Sequence, residues 1–213
     1  MLWLKLFHAL CWVYWLGADL GTFYAARFVA NPALPVSARG AAAKIMLAID
    51  LAPRICMPLT LASGLHLAAW QGAVPMGAGG IVAVWLIGLL WMATAVWLHH
   101  AAPGGRRDAV ASVDFGWRAL VVAALAVLAF SGAVASWLAL KVVCFAGTVL
   151  CGMAIRVHLK PFGAAFGALM QRGPSAAGDA VIAASIARCV PYVLVIWALL
   201  IVAAAAGLRA LVV

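Results

Sequence analysis

Long stretches of this chain carry no charge, and no other feature constrains its fold as tightly. Residues 190–208, VPYVLVIWALLIVAAAAGL, run for nineteen positions without an acidic or basic side chain. Similar runs recur along the chain, separated by short polar connections. A helix needs about 20 mostly apolar residues to cross the hydrocarbon core of a bilayer. A chain of 213 residues therefore has room for at most about seven crossings. Charged residues make up 9% of the sequence and hydrophobic ones 69%, whereas a soluble domain averages roughly 25% charged. The sequence thus predicts an all-α, polytopic membrane helical bundle forming one domain over residues 1–213, with the lipid bilayer as its first partner.

Six transmembrane helices can be drawn, over about residues 2–28, 42–70, 81–100, 113–134, 137–159 and 184–208. Lys5 followed by an apolar run imitates a signal peptide. That run is longer than a signal's apolar region and contains Asp19, so it is read as a retained first span. In the long fifth connection, between the spans at 137–159 and 184–208, Phe162, Phe166, Leu169 and Met170 recur at helical spacing between Lys160 and Arg172. The pattern suits a short helix lying in the membrane interface; an unstructured loop is the alternative.

The net charge is +9, from 14 Lys and Arg against five acidic residues. The basic residues fall in alternate connections. Arg27, Arg39 and Lys44 flank the first, Arg106, Arg107 and Arg118 the third, and Arg156, Lys160, Arg172 and Arg188 the fifth. The second and fourth have none, and each end of the chain has one, Lys5 and Arg209. Cytoplasmic connections of membrane proteins are rich in Lys and Arg. The asymmetry predicts both termini outside and explains the basic balance without nucleic acid.

Ionisable groups inside a bilayer are costly and face a bundle interior or a cavity. At about 1.5 Å per residue, His8, His66 and Lys141 fall in one layer towards the outer surface. Two histidines from different helices in an apolar layer could ligate a haem b iron, with Lys141 pairing a propionate. The alternative is that each histidine makes a private hydrogen bond. A second layer near mid-membrane holds Asp19, Asp50 and Arg54. Asp50 and Arg54 are four apart and share a helix face, so this group is read as a neutralised structural charge cluster in preference to a proton relay. Pro53, Pro58 and Pro191 each remove an amide donor and kink their spans. His99, His100 and His158 lie at span ends, where a second haem is conceivable but histidine is also cheap.

Copper is the alternative ligand. Five cysteines, Cys11, Cys56, Cys144, Cys151 and Cys189, are dispersed with no C-x-x-C pair. His8 and Cys11 are three apart, Cys144 and Cys151 share a face with Lys141, and Cys56 precedes Met57. Soft thiolates and thioethers select Cu(I), but no metal-ligand spacing stands out.

Four segments carry a family resemblance. WLKLFHALCWVYWLGADLGTFYAARF, PRICMPLTLASGLHLAAW, WLALKVVCFAGTVLCGMAIRV and ARCVPYVLVIWALLI resemble the spans of HemJ-type bacterial protoporphyrinogen oxidases and of CopD-type copper-resistance membrane proteins. The likeness covers the first, second, fifth and sixth spans, with the third and fourth as an inserted hairpin. It implies a bacterial plasma (inner) membrane protein that binds haem b and is linked to redox chemistry. His8 then matches the family's first-span histidine, Lys141 the lysine tied to haem binding and activity, and Arg54 the second-span arginine. His66 has no counterpart. The implied partners are a porphyrin, a quinone or an electron-transfer protein, or a second copy of the chain. CopD-like copper handling through His8, Cys11, Cys144 and methionines, and a non-catalytic subunit of a membrane complex, are the other functions the resemblance allows.

Overall fold

A computed structural model describes residues 1–209 and is almost wholly helical. The helices are α1 (Leu2–Ala30), α2 (Val36–Trp70), α3 (Ala78–His100), α4 (Gly105–Phe130), α5 (Ser136–His158), α6 (Lys160–Arg172) and α7 (Ala176–Arg209). Their ends follow local chemistry. Pro35 precedes α2 with φ −62° and ψ 151°, an extended entry its ring favours. Gly72 and Gly132 adopt positive φ just past α2 and α4, a conformation that only glycine adopts without strain. Ser175 Oγ accepts the amide of Gly178 at 3.1 Å and caps the start of α7.

Three helix starts differ from the expected ones: α2 begins at Val36 rather than near residue 42. α4 begins at Gly105 rather than near residue 113. Asp108 in its first turn favours the positive end of the helix dipole, and the charged run continues the helix instead of forming a loop. α7 begins at Ala176 rather than near 184, with Asp179 in its first turn. Pro53, Pro58 and Pro191 all lie inside helices that continue past them.

Helix packing closes a ring. α1 packs on α2, α2 on α3, α4 on α5, α5 on α7 and α7 back on α1, while α3 and α4 touch only lightly. The third and fourth helices therefore flank α2 and α5 separately instead of packing as a tight hairpin. Gly88 allows the α2–α3 approach: a Cβ there would lie 2.9 Å from Ala62 Cβ and 3.3 Å from the Pro58 carbonyl oxygen. Small residues let membrane helices come this close. Trp15, Met57, Trp91, Val121, Val142 and Val149 are among the buried residues of the central core. Leu86, Leu90, Val113, Val127 and Phe130 are exposed, as lipid-facing side chains are.

α6 lies across the ends of the bundle. Leu169 is buried with Val29 of α1, Ala43 of α2 and Ile182 of α7, and Phe162 and Phe166 pack against that cluster. The apolar stripe predicted for this segment thus forms a helix, and its stripe is turned largely onto the protein. Beside it, Arg39 is 1% exposed. Its Nε donates to the Val29 carbonyl at 2.9 Å and its Nη1 to Asp179 Oδ1 at 2.6 Å. A residue expected in a connection is instead a buried tie between α1, α2 and α7.

Five helices, α2, α3, α4, α5 and α7, are long and apolar enough to cross a bilayer. This is the make-up of a multi-pass membrane protein. α1 has 29 residues but stands outside that set, because Lys5, His8, Asp19 and its tryptophans and tyrosines lower its mean hydropathy.

Candidate functional site

Among the described residues, cavities lie between the helices towards each end of the bundle. The larger, about 480 Å³, is partly open and lined by α1, α2, α5 and α7 near the end that carries the N-terminus. Its walls are apolar apart from a few groups: Lys5, His8, Thr60, Gln71, Lys141 and Thr148. Ligand sites commonly combine apolar walls with a few placed polar groups. Trp12 is held in the wall by donating its Nε1–H to the Leu200 carbonyl at 3.0 Å.

The local sequence explains how His8 is placed. Gly64 lies beneath the imidazole, and a Cβ there would come within 3.0 Å of His8 Cε1. One residue earlier, Ser63 is fully buried, and its Oγ lies 2.8 Å from His8 Nδ1. Ser63 Oγ donates its single proton to the Leu59 carbonyl at 2.6 Å. In the tautomer this bond favours, Nδ1 donates to the hydroxyl and Nε2 keeps its lone pair. A histidine that ligates a metal is oriented in this way by a hydrogen bond from its other nitrogen.

Lys141 reaches the same cavity from α5. Its Nζ rests against the α7 backbone, where a Cβ on Gly207 would lie 2.6 Å away. A side chain at Gly207 would therefore displace the ammonium from this position. Thr60 Oγ1, also in the wall, is buried without a hydrogen-bond partner.

His66 is not brought to this cavity. It faces α3, where Trp85 Nε1 donates to its Nδ1 at 3.1 Å, and the two rings meet edge to face with centroids 6.4 Å apart. That bond occupies the Nδ1 lone pair and places the ring proton on Nε2. The two histidines expected as an axial pair are thus not brought together here: His8 lines the cavity and His66 bonds Trp85. The reason is helix rotation: His66 lies three positions after Ser63, and it projects onto the α3 side of α2.

The copper donors divide similarly. Cys144 lines the cavity with His8, whereas Cys11 is buried in the central core with Cys56 and Met57. Among the described residues no group of three or more His, Cys, Asp or Glu side chains is arranged to hold a metal ion. His158 stacks on Tyr192, with Nε2 3.3 Å from its hydroxyl, and His99 meets His100 edge to face. The three do not converge.

The smaller cavity, about 270 Å³, lies in the half of the bundle next to α6. Asp19, Asp50 and Arg54 all line it, together with Arg118 and Arg156. Asp50 accepts from Arg54 within α2, through Nε at 2.8 Å. Asp19 forms no hydrogen bond or ion pair among the described residues, so the three side chains share a cavity without forming a bonded triad. A second pair was not anticipated. Asp114 Oδ2 accepts from Arg118 Nε at 2.9 Å and from Arg156 Nη1 at 2.6 Å. Arg118 also lies 5.3 Å from the Trp91 ring centroid. The spacing of Asp114 and Arg118 is the same four residues as that of Asp50 and Arg54, and this was the available signal.

No family model, curated protein or solved structure compared with this chain matches it, so the likeness to HemJ-type and CopD-type proteins rests on the quoted segments.

Proposed function

We propose that this chain is a six-span protein of the bacterial inner membrane, with both termini outside, that binds haem b in its larger cavity. α1 supplies the sixth span. Its 29 residues extend about 43 Å, more than the roughly 30 Å of hydrocarbon, and it packs along both α2 and α7. The basic asymmetry supports the orientation even after the buried Arg39 and Arg118 are set aside. Arg27, Lys44, Arg106, Lys160, Arg172 and Arg188 remain exposed at the α6 end.

The observation that carries the haem reading is the 2.8 Å contact of His8 Nδ1 with the buried Ser63 hydroxyl, which favours the tautomer that leaves the Nε2 lone pair for iron. His8 is then the single protein ligand. Lys141 and Lys5 are the cations available to propionates, and the apolar walls suit the macrocycle. A haem there supplies a one-electron redox centre, while the protein supplies ligation, orientation and a low dielectric. The reaction class is electron transfer, with oxidation of a porphyrinogen or quinol as the implied chemistry and Lys141 as the group placed to hold a substrate or propionate carboxylate.

The test is the visible spectrum of protein purified after expression with haem supplied. A Soret band that shifts on dithionite and with carbon monoxide, lost in His8→Ala and kept in His66→Ala, is expected. A folded protein that takes up no haem, or one that loses it with His66 but not with His8, refutes the proposal. The shared cavity of His8 and Cys144 favours copper as the second reading. Copper bound near one per chain and lost in Cys144→Ser would establish it instead.

A further inference from the structure

We propose that the smaller cavity binds one carboxylate monoanion of short apolar tail, and that Asp19 takes up one proton as it binds. The inference is independent of the haem reading, since it concerns the opposite end of the bundle.

The cavity contains a cation with an unused donor. Arg118 is 4% exposed, lines the cavity, and has its Nη2 buried without a hydrogen-bond partner. Its Nε is committed to Asp114, and its Nη1 faces only the weak acceptor Met57 Sδ at 3.7 Å. A buried guanidinium nitrogen left unpaired is costly. The second oxygen of its Asp114 partner is buried and unpaired as well, so the existing pair leaves this nitrogen unsatisfied, and a carboxylate oxygen entering from the cavity would supply an acceptor in a charge-assisted hydrogen bond. Thr22 Oγ1, on the cavity wall, is likewise buried and unpartnered. Away from its charged groups the wall, including Trp15, Phe23 and Met57, is apolar and suits a hydrocarbon tail better than a hydrated inorganic ion.

The charge count ties binding to a proton. Asp50 neutralises Arg54. Asp114 is shared by Arg118 and Arg156 and neutralises one of them. The cluster without Asp19 is therefore one positive charge in excess. Ionised Asp19 cancels that excess, and protonated Asp19 restores it. A monoanion gives a neutral cluster only when Asp19 is protonated. The groups facing Asp19 are Asp50 and Arg54 from α2, Arg118 from α4, Arg156 from α5 and the Cys189 thiol from α7. That thiol donates to the Ser185 carbonyl at 3.2 Å. His99, at the end of α3, lies outside the lining.

The test measures binding of hexanoate to the full chain in nanodiscs by calorimetry across pH, with hexan-1-ol as the neutral control. Hexanoate should bind saturably, and its affinity should fall about tenfold per pH unit once Asp19 is ionised, the slope of one linked proton. Asp19→Asn mimics the protonated side chain and breaks no bond, so it should bind hexanoate with no such slope; titration of His99 would leave the slope in place. Arg118→Lys keeps the charge and the tie to Asp114 but loses the free fork nitrogen, and should weaken binding about tenfold or more. Lys141→Met, which strips the larger cavity of its inner cation, should leave the pH-linked binding in place. No saturable binding to folded protein, hexan-1-ol binding as well as hexanoate, an unchanged slope in Asp19→Asn, or loss of binding in Lys141→Met would each overturn the proposal.

Discussion

Ser63→Ala separates the role of the His8 tautomer from the role of the histidine itself. The substitution removes one oxygen atom that is fully buried and that meets His8 Nδ1 at 2.8 Å. Its other bond, to the Leu59 carbonyl, lies within α2 and duplicates an acceptor already used by the helix ladder, so the fold should lose only about 1 kcal/mol. The imidazole is affected more. With Ser63 gone, the tautomer that leaves Nε2 free keeps an unpaired Nδ1–H in an apolar wall, a cost of about 1–3 kcal/mol. Loss of an orienting partner of this kind weakens metal ligation about 10- to 100-fold, or about 1.4–2.7 kcal/mol, in agreement with that cost. Haem titration of the purified protein, followed in the Soret region, measures the change. Haem should still bind to Ser63→Ala, weakened by one to two orders of magnitude, and should not bind to His8→Ala. If Ser63→Ala binds haem as tightly as wild type while His8→Ala does not, the hydrogen bond has no part in presenting the histidine and the tautomer argument is wrong.

Other consequences concern the scaffold. Arg39→Met should destabilise the protein by about 3–5 kcal/mol in detergent unfolding, because it leaves the Val29 carbonyl and Asp179 without their partner. Exposed Arg188→Met should change it by less than about 0.5 kcal/mol, and equal losses would contradict the burial of Arg39. Gly88→Ala brings a methyl within 2.9 Å of Ala62 Cβ and should cost about 1–3 kcal/mol, reading out as weaker α2–α3 association; a neutral result would mean the helices do not approach there. Single cysteines at Gly77 and Gly105, where an added Cβ meets nothing, in an otherwise cysteine-free chain, should react with impermeant thiol reagents from opposite sides of the membrane. Labelling from the same side would refute the alternating topology.

The apolar runs and their polar breaks were enough to read an all-α membrane bundle, because backbone groups in lipid must be satisfied within each segment and that requirement is local. The Asp50–Arg54 pair was legible for the same reason, since residues four apart on a helix meet whatever surrounds them. Asp114 and Arg118 obey the same rule. They were missed because Arg118 was counted with the basic residues of a connection, although α4 begins at Gly105 and carries both residues into the bundle. Arg39 was misplaced likewise, as α2 begins at Val36. The depth of His8, His66 and Lys141 could be estimated by counting residues, and His8 and Lys141 do line one cavity. Direction could not be counted. A span that is apolar on every side has little amphipathic signal to fix its rotation, so nothing local distinguishes a histidine facing a cavity from one facing a neighbouring helix. Tertiary packing decided that Ser63 and Gly64 meet α1 while His66 meets Trp85 of α3. The sequence by itself determined that the chain is a set of long apolar helices. Which side chains share a cavity was decided only when each helix took its rotation from its neighbours.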